Sequence, residues 1–340
     1  MSKSYKVSKN NFSFLVDEAV KQFEVWAPIE NNGKLSFEKI EKAADANLSY
    51  VRTTQGAKKI FHPAKAEIFN HTQKDGYVSK EENPIKDIMI LGLHPCDLNA
   101  VLIQDKVFAD SEIENAYLKR RKNAFILAAI CVKTDDKCFC GCMESGPDAK
   151  GGFDILITDL GSDYLAETGS ARGEKLLEKI EKTEADEADL KTKQNKLTEL
   201  KKEMGKNCHV ECRNMKTILQ NNPDHSYWQN ESDRCLSCGS CTNVCPTCFC
   251  YSINDNLDWD GKTGKRELYW DSCQNKEFSL VALGENFRPE RIARLKQFVN
   301  HKLNYWHDQF GRSGCVGCGR CIEICPVEIS LLDIVEKISR

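Results

Sequence analysis

Two stretches of this 340-residue chain carry four cysteines each at one shared spacing: CLSCGSCTNVCP from Cys235 and CVGCGRCIEICP from Cys315. Both read C-x2-C-x2-C-x3-C-P. Three cysteines on such a tight turn take three corners of one iron–sulfur cubane, while the fourth, three residues on, points away to the next cluster. The spacing therefore assigns Cys235, Cys238, Cys241 and Cys325 to one 4Fe-4S cluster, and Cys315, Cys318, Cys321 and Cys245 to another. Zinc is the rival for any C-x2-C pair, but a zinc site closes with four ligands and has no use for cysteines at the further offsets. Gly239, Gly317 and Gly319 suit a backbone that must curl close to inorganic sulfide and offer it N–H groups. Pro246 and Pro326 turn the chain away after each crossing cysteine.

The chain holds 18 cysteines, so ten remain. In DKCFCGC, Asp136 to Cys142, a cysteine stands at every second position, and in an extended conformation Cys138, Cys140 and Cys142 would share one face. Cys96 follows the apolar run DIMILGL, and Cys131 lies at the end of AFILAAICV. Open α/β sheets bind ligands beyond the carboxyl ends of their strands, so five thiols converge on one expected rim. A third 4Fe-4S cluster on Cys96, Cys131, Cys138 and Cys140 is the expectation, with Cys142 left over; the choice among the CFCGC thiols stays open. A zinc site, or thiols buried as small hydrophobes, are the alternatives. Cys208 and Cys212, one helical turn apart, could chelate together. Cys248, Cys250 and Cys273 are expected to pack around the clusters, a further metal site or redox pair being the other reading. The seven histidines form no HxxxH pair and are read as structural.

These thiols need elements to hold them. Asp87–Leu93, Ala124–Val132 and Phe153–Thr158 read as strands. Between them LNAVLIQDKVF, N-capped by Asp97, and SEIENAYLKRRK, capped by Ser111 with Glu114 three residues later, read as helices. The expected fold is α+β overall: an α/β domain over 1–170 with a mainly parallel sheet, a charged helical connector over 171–230, and an α-helical ferredoxin domain with two clusters over 231–340. Residues 173–204 mix acids with lysines around a thin seam of Leu177, Ile180, Leu190, Leu197, Leu200 and Met204, which predicts one or two exposed helices. The 70 residues from Cys245 to Cys315 are too many for a minimal ferredoxin, so helices are expected there, including FRPERIARLKQFVNHKLNYW with Ile292, Leu295, Phe298, Val299 and Leu303 on one face.

Composition narrows the class. A 41% hydrophobic and 29% charged chain with net charge −3 has no electrostatic pull toward nucleic acid or membrane. The longest apolar run, AFILAAICV, is far below the roughly 18 residues a bilayer span needs. No secretory signal pattern follows the N-terminus, so a cytoplasmic location is expected, where cysteines act as ligands or redox thiols rather than disulfides.

The two motifs with their long spacer resemble the helical ferredoxin domain of succinate dehydrogenase iron–sulfur subunits and heterodisulfide reductase subunits. Over about residues 55–335 the order KKIFHPAKAEIF, LGLHPCDLNAV, CFCGCMESGP, GGFDILITDLG, YLAETGS, CLSCGSCTNVCPTCFC, WDSC, NFRPERIARLKQF and CVGCGRCIEICP resembles the 4Fe-4S electron-transfer subunit of anaerobic sulfite reductase, and equally the beta subunit of cytoplasmic nickel–iron sulfhydrogenase. That resemblance implies several 4Fe-4S clusters in a hetero-oligomer, passing electrons between a flavin-containing subunit that binds NAD(P)H and a terminal catalytic subunit. Two positions depart from its pattern: His94 stands where arginine is expected, and Cys142 where serine is expected. The rival readings are a catalytic subunit that binds flavin or nucleotide itself, against which no G-x-G-x-x-G follows a strand, and an iron–sulfur redox sensor, against which the acidic balance stands. The terminal acceptor is not readable from these residues.

Overall fold

The computed structural model describes residues 3–72, 76–78, 87–109, 115–208, 211–259 and 261–340. Its strands are β1 Ser4–Ser8, β2 Glu24–Asn31, β3 Lys34–Lys39, β4 Lys65–Thr72, β5 Gly76–Val78, β6 Ile88–Leu93, β7 Ala124–Ala129, β8 Ile155–Asp159, β9 Asp163–Thr168, β10 Thr183–Glu184, β11 Tyr251–Leu257 and β12 Thr263–Trp270. Eight form one sheet in the order β10-β1-β9-β8-β7-β6-β2-β3.

The strands expected from the apolar runs are its centre, and β6 and β7 are buried at every position. The expectation of a mainly parallel sheet needs correcting. Pairing is parallel from β2 through β6 and β7 to β8, and antiparallel on both wings. The reason is local: strands buried on both faces carry continuous apolar runs, whereas wing strand β1 alternates and leaves one face wet. Asn32 and Gly33, both at positive φ, make the two-residue turn that ties β3 to β2 as a hairpin.

Alternate central residues feed two cores. Ile88 and Ile90 pack on one face with Leu98, Val101, Leu197, Leu200 and Met204; Met89 and Leu91 pack on the other with Phe12, Leu15 and Val16. Residues 173–204, expected as one or two helices, lie in two, Ala171–Leu177 and Glu187–Gly205, with β10 of the main sheet between them. The second is less exposed than its charge suggests, since its C-terminal half buries Leu197, Leu200 and Met204 while Leu190 stays in solvent.

Asp97 does not cap the helix Pro95–Phe108. His94 is the N-cap and Asp97 lies in the first turn, where its carboxylate serves another partner. The helix expected from SEIENAYLKRRK is described as Asn115–Lys122, and Ser111 and Glu114 lie outside the described residues.

Between the cysteine motifs the expectation of helices is half right. Helix Arg291–Asn300 buries Leu295, Phe298 and Val299. Ahead of it, however, β11 and β12 form a hairpin that joins β4 and β5 in a second, antiparallel sheet of order β11-β12-β4-β5. The β12 to β4 pairing runs from Thr263 opposite Thr72 to Tyr269 opposite Lys65, tying the spacer to the N-terminal half. Among the described residues no helix is long and apolar enough to cross a membrane.

Candidate metal centres

The two motifs fold alike. Gly239 and Gly319, at φ 73° and 75°, start the short helices Ser240–Val244 and Arg320–Glu323. Cys235, Cys238, Cys241 and Cys325 line one apolar pocket with Cys321, Leu295 and Phe298. Burial pushes the Cys241 thiol up to about 12, and the neighbouring charges that add to it are Cys235, Cys245, Cys238 and Cys325. Cys241 thus shares a pocket with its own expected set and a core with Cys245, the crossing cysteine assigned to the other.

In the second motif burial pushes Cys315 up to about 12; the Gly317 N–H works against this, and Cys318 and Cys245 reinforce it. The Gly317 amide donates to Cys315 Sγ at 3.3 Å. Cys321 is raised well above the ordinary thiol range by burial, then by Cys315, Cys245 and Cys318. Thiols so placed cannot ionise together without a compensating cation, and a bound metal inverts that balance by holding them as thiolates.

DKCFCGC lies directly on this second motif. Phe139 N donates to Gly317 O at 2.9 Å. A Cβ on Gly317 would stand 2.5 Å from Phe139 O, and one on Gly319 would stand 2.5 Å from Lys137 O. Glycine is thus required at 317 and 319 by the close approach of another chain segment, beyond any contact with sulfide. The stretch is not extended, however. It turns, with Cys142 N donating to Phe139 O at 3.0 Å and Ser145 N to Cys140 O at 3.0 Å.

The turn splits the three thiols. Cys138 and Cys140 enter the core under the sheet, where Cys96 and Cys131 also pack; Cys142 leaves for a different core containing Cys208 and Cys212. Burial raises Cys96 and Cys131 well above the ordinary range, and after it Cys96 feels Asp97, Cys140, Cys131 and Cys318, while Cys131 feels Cys140 and Cys138. Cys140, pushed to about 12 by burial, also faces Cys138 and Cys318. The four thiols expected at the strand ends thus share one core, and Cys96 packs with Cys318 of the second motif against another.

Charge surrounds this junction. Arg320 is buried and donates to Asp97 Oδ1 at 2.6 Å and Oδ2 at 2.7 Å, and to Thr53 O at 2.8 Å and Oγ1 at 2.9 Å. Arg52 donates to Cys138 Sγ at 3.4 Å. His94 is no cation here: burial lowers it to about 4, and its ring stacks on Tyr50 with centroids 3.8 Å apart.

Lys302 was missed by sequence reasoning. It sits on the expected helix, yet it is buried with Nζ donating to Thr247 Oγ1 at 2.6 Å, and Cys245, Cys248 and Cys315 face it and hold its charge. Cys248, Cys250 and Cys273 line a cavity of about 380 Å³ beside it. A hydrogen bond from Cys273 holds the Cys250 thiol down at about 7. A lysine within an amphipathic pattern carries no sign that it will turn inward.

Thiols at this spacing, around these two short helices, define an iron–sulfur protein: residues 234–329 match the family model of the 4Fe-4S dicluster domain. Over 322 residues the chain is 32% identical to sulfhydrogenase 2 subunit beta of Pyrococcus furiosus, covering 92% of each chain, and so it belongs to the sulfhydrogenase beta-subunit family. It is also 23% identical over 122 residues to F420-dependent formate dehydrogenase subunit beta of Methanocaldococcus jannaschii, covering 36% of this chain and 24% of that one. No solved structure matches it significantly.

Proposed function

We propose that the chain is the electron-relay subunit of a hetero-oligomeric oxidoreductase, standing between a flavin-containing subunit that binds NAD(P)H and a terminal catalytic subunit of hydrogenase or sulfite reductase type. In this reading Cys235, Cys238, Cys241 and Cys325 hold one 4Fe-4S cluster, Cys315, Cys318, Cys321 and Cys245 a second, and Cys96, Cys131, Cys138 and Cys140 a third. The clusters supply one-electron transfer, and the protein supplies thiolates, burial and docking.

The observation that carries the reading is continuity. Cys321 of the second set lines the pocket of the first, and Cys318 packs with Cys96 of the third set against one core, so each thiol set neighbours the next. Both relatives are named as subunits, which supports a partner-dependent role. The first motif is the open end, with Cys238 exposed and Leu236 60% exposed, and it suits contact with a partner.

Purification of the native complex with identification of its cofactors tests this. A separate flavoprotein in the complex supports the relay; nickel then assigns hydrogen, sirohaem assigns sulfite, and a second flavin assigns a second pyridine nucleotide. Flavin bound to the isolated chain, with turnover of a substrate by that chain alone, would overturn it.

A further inference from the structure

Three cysteines outside all three sets come together in space. Cys142 Sγ touches both Cys208 Sγ and Cys212 Sγ, and the latter two stand 3.6 Å apart. They come from the turn after Cys140, the residues just past helix Glu187–Gly205, and the start of the short helix Cys212–Asn214. One sulfur closes only one disulfide, so any bridge here leaves a third thiol over. A metal ion uses all three.

A single ion suits three thiols this close. Among the described residues this is the one set of three Cys, His, Asp or Glu residues whose ligand atoms all lie within 4.8 Å of one another. The cysteines with cluster spacing form no such tight trio, because each thiolate of a cubane belongs to a different iron. A tetrahedral ion with Zn–S bonds of about 2.3 Å holds its sulfurs about 3.8 Å apart, inside the 4.8 Å within which these three lie. All three cysteines are half-buried, and a cavity of about 440 Å³ opens beside Cys142 and Cys212, giving solvent a path to a fourth position.

We infer that Cys142, Cys208 and Cys212 bind one zinc ion as thiolates, with water from the cavity as the fourth ligand. The ion staples the end of helix Glu187–Gly205 and the turn at Cys212 to the segment that carries Cys138 and Cys140. Thiolate ligands select zinc or iron–sulfur clusters over magnesium and calcium, and the tight spacing separates the first two. The inference does not depend on the relay, since zinc transfers no electrons.

The full chain, expressed with iron and zinc supplied and purified without oxygen, is dialysed against EDTA and its metals counted. The expected result is about one zinc per chain, lost in Cys212→Ser with iron unchanged. No retained zinc, zinc unaffected by Cys212→Ser, or a drop of about four iron atoms in that variant would overturn the inference. If Cys212→Ser fails to fold, X-ray absorption at the zinc edge of the wild type decides: three sulfurs at about 2.3 Å with one oxygen supports the assignment, and any other sulfur count overturns it.

Discussion

The two cysteine motifs share their spacing and their turn but live in opposite surroundings. After Cys235 the motif opens to water at Leu236, 60% exposed; after Cys315 the matching Val316 is 2% exposed. Where the first motif has Ser237 at φ 51°, the second has Gly317 at φ 62°, because Phe139 and Cys140 lie against it. Where the first has Ser240, the second has Arg320, which locks onto Asp97 and Thr53. Identical ligand spacing therefore says nothing about position in the proposed relay. The residues between the ligands decide that, by making one motif an open end and the other a joint.

The joint breaks most easily at its ion pair. Arg320→Ser gives the second motif the chemistry of the first and leaves Asp97 buried and unpaired, at a cost of about 3 to 5 kcal/mol. Denaturant unfolding under anaerobic conditions measures this, and a loss below about 1 kcal/mol would mean the two motifs are held alike.

Acid acts at a different contact. His62 lies against Phe108 and Trp270, and its carbonyl accepts from Trp270 Nε1 at 3.1 Å, where the β11–β12 hairpin meets the N-terminal half. Burial, with Lys58 and Arg120 nearby, lowers it to about 4. Between that value and the ordinary 6.5 the unfolded chain binds more protons, so stability is full above about 6.5 and falls by about 3 kcal/mol as pH drops toward 4. Burial depresses His94 and His301 in the same way, so His62→Phe should remove only its own share of about 3 kcal/mol from that slope, read as the difference in unfolding free energy between variant and wild type at each pH.

Smaller effects separate the two turns. Gly317→Ala meets backbone at 2.5 Å and adopts a positive φ, so it should cost about 1 to 3 kcal/mol. Ser237→Gly relieves the same backbone conformation in the open motif and should shift stability by less than about 1 kcal/mol. Equal costs at 237 and 317 would erase the distinction between open end and joint.

Much of this was legible in the sequence, for reasons that differ by region. The C-x2-C-x2-C-x3-C-P spacing is local chemistry, and the buried strands β6 and β7 announce themselves as apolar runs. The Asn32-Gly33 pair is itself a local hairpin signal. The β11–β12 hairpin was hidden because its stability comes from pairing with β4, far away along the chain. The partners of Cys142 lie 66 and 70 residues off, and that of Asp97 lies 223 residues off; no periodicity carries such contacts. Alternation in CFCGC suggested one shared face, but two backbone hydrogen bonds turn the stretch and send Cys142 the other way.

The central claim is that the buried motif is a joint because a third thiol set stands behind it. Iron analysis of the anaerobically reconstituted chain, combined with counting of paramagnetic centres during stepwise reduction, tests it most directly. The account predicts about twelve iron atoms per chain in three reducible cubanes, falling to about eight in Cys131→Ser. About eight iron atoms in the wild type, unchanged in Cys131→Ser, would contradict it.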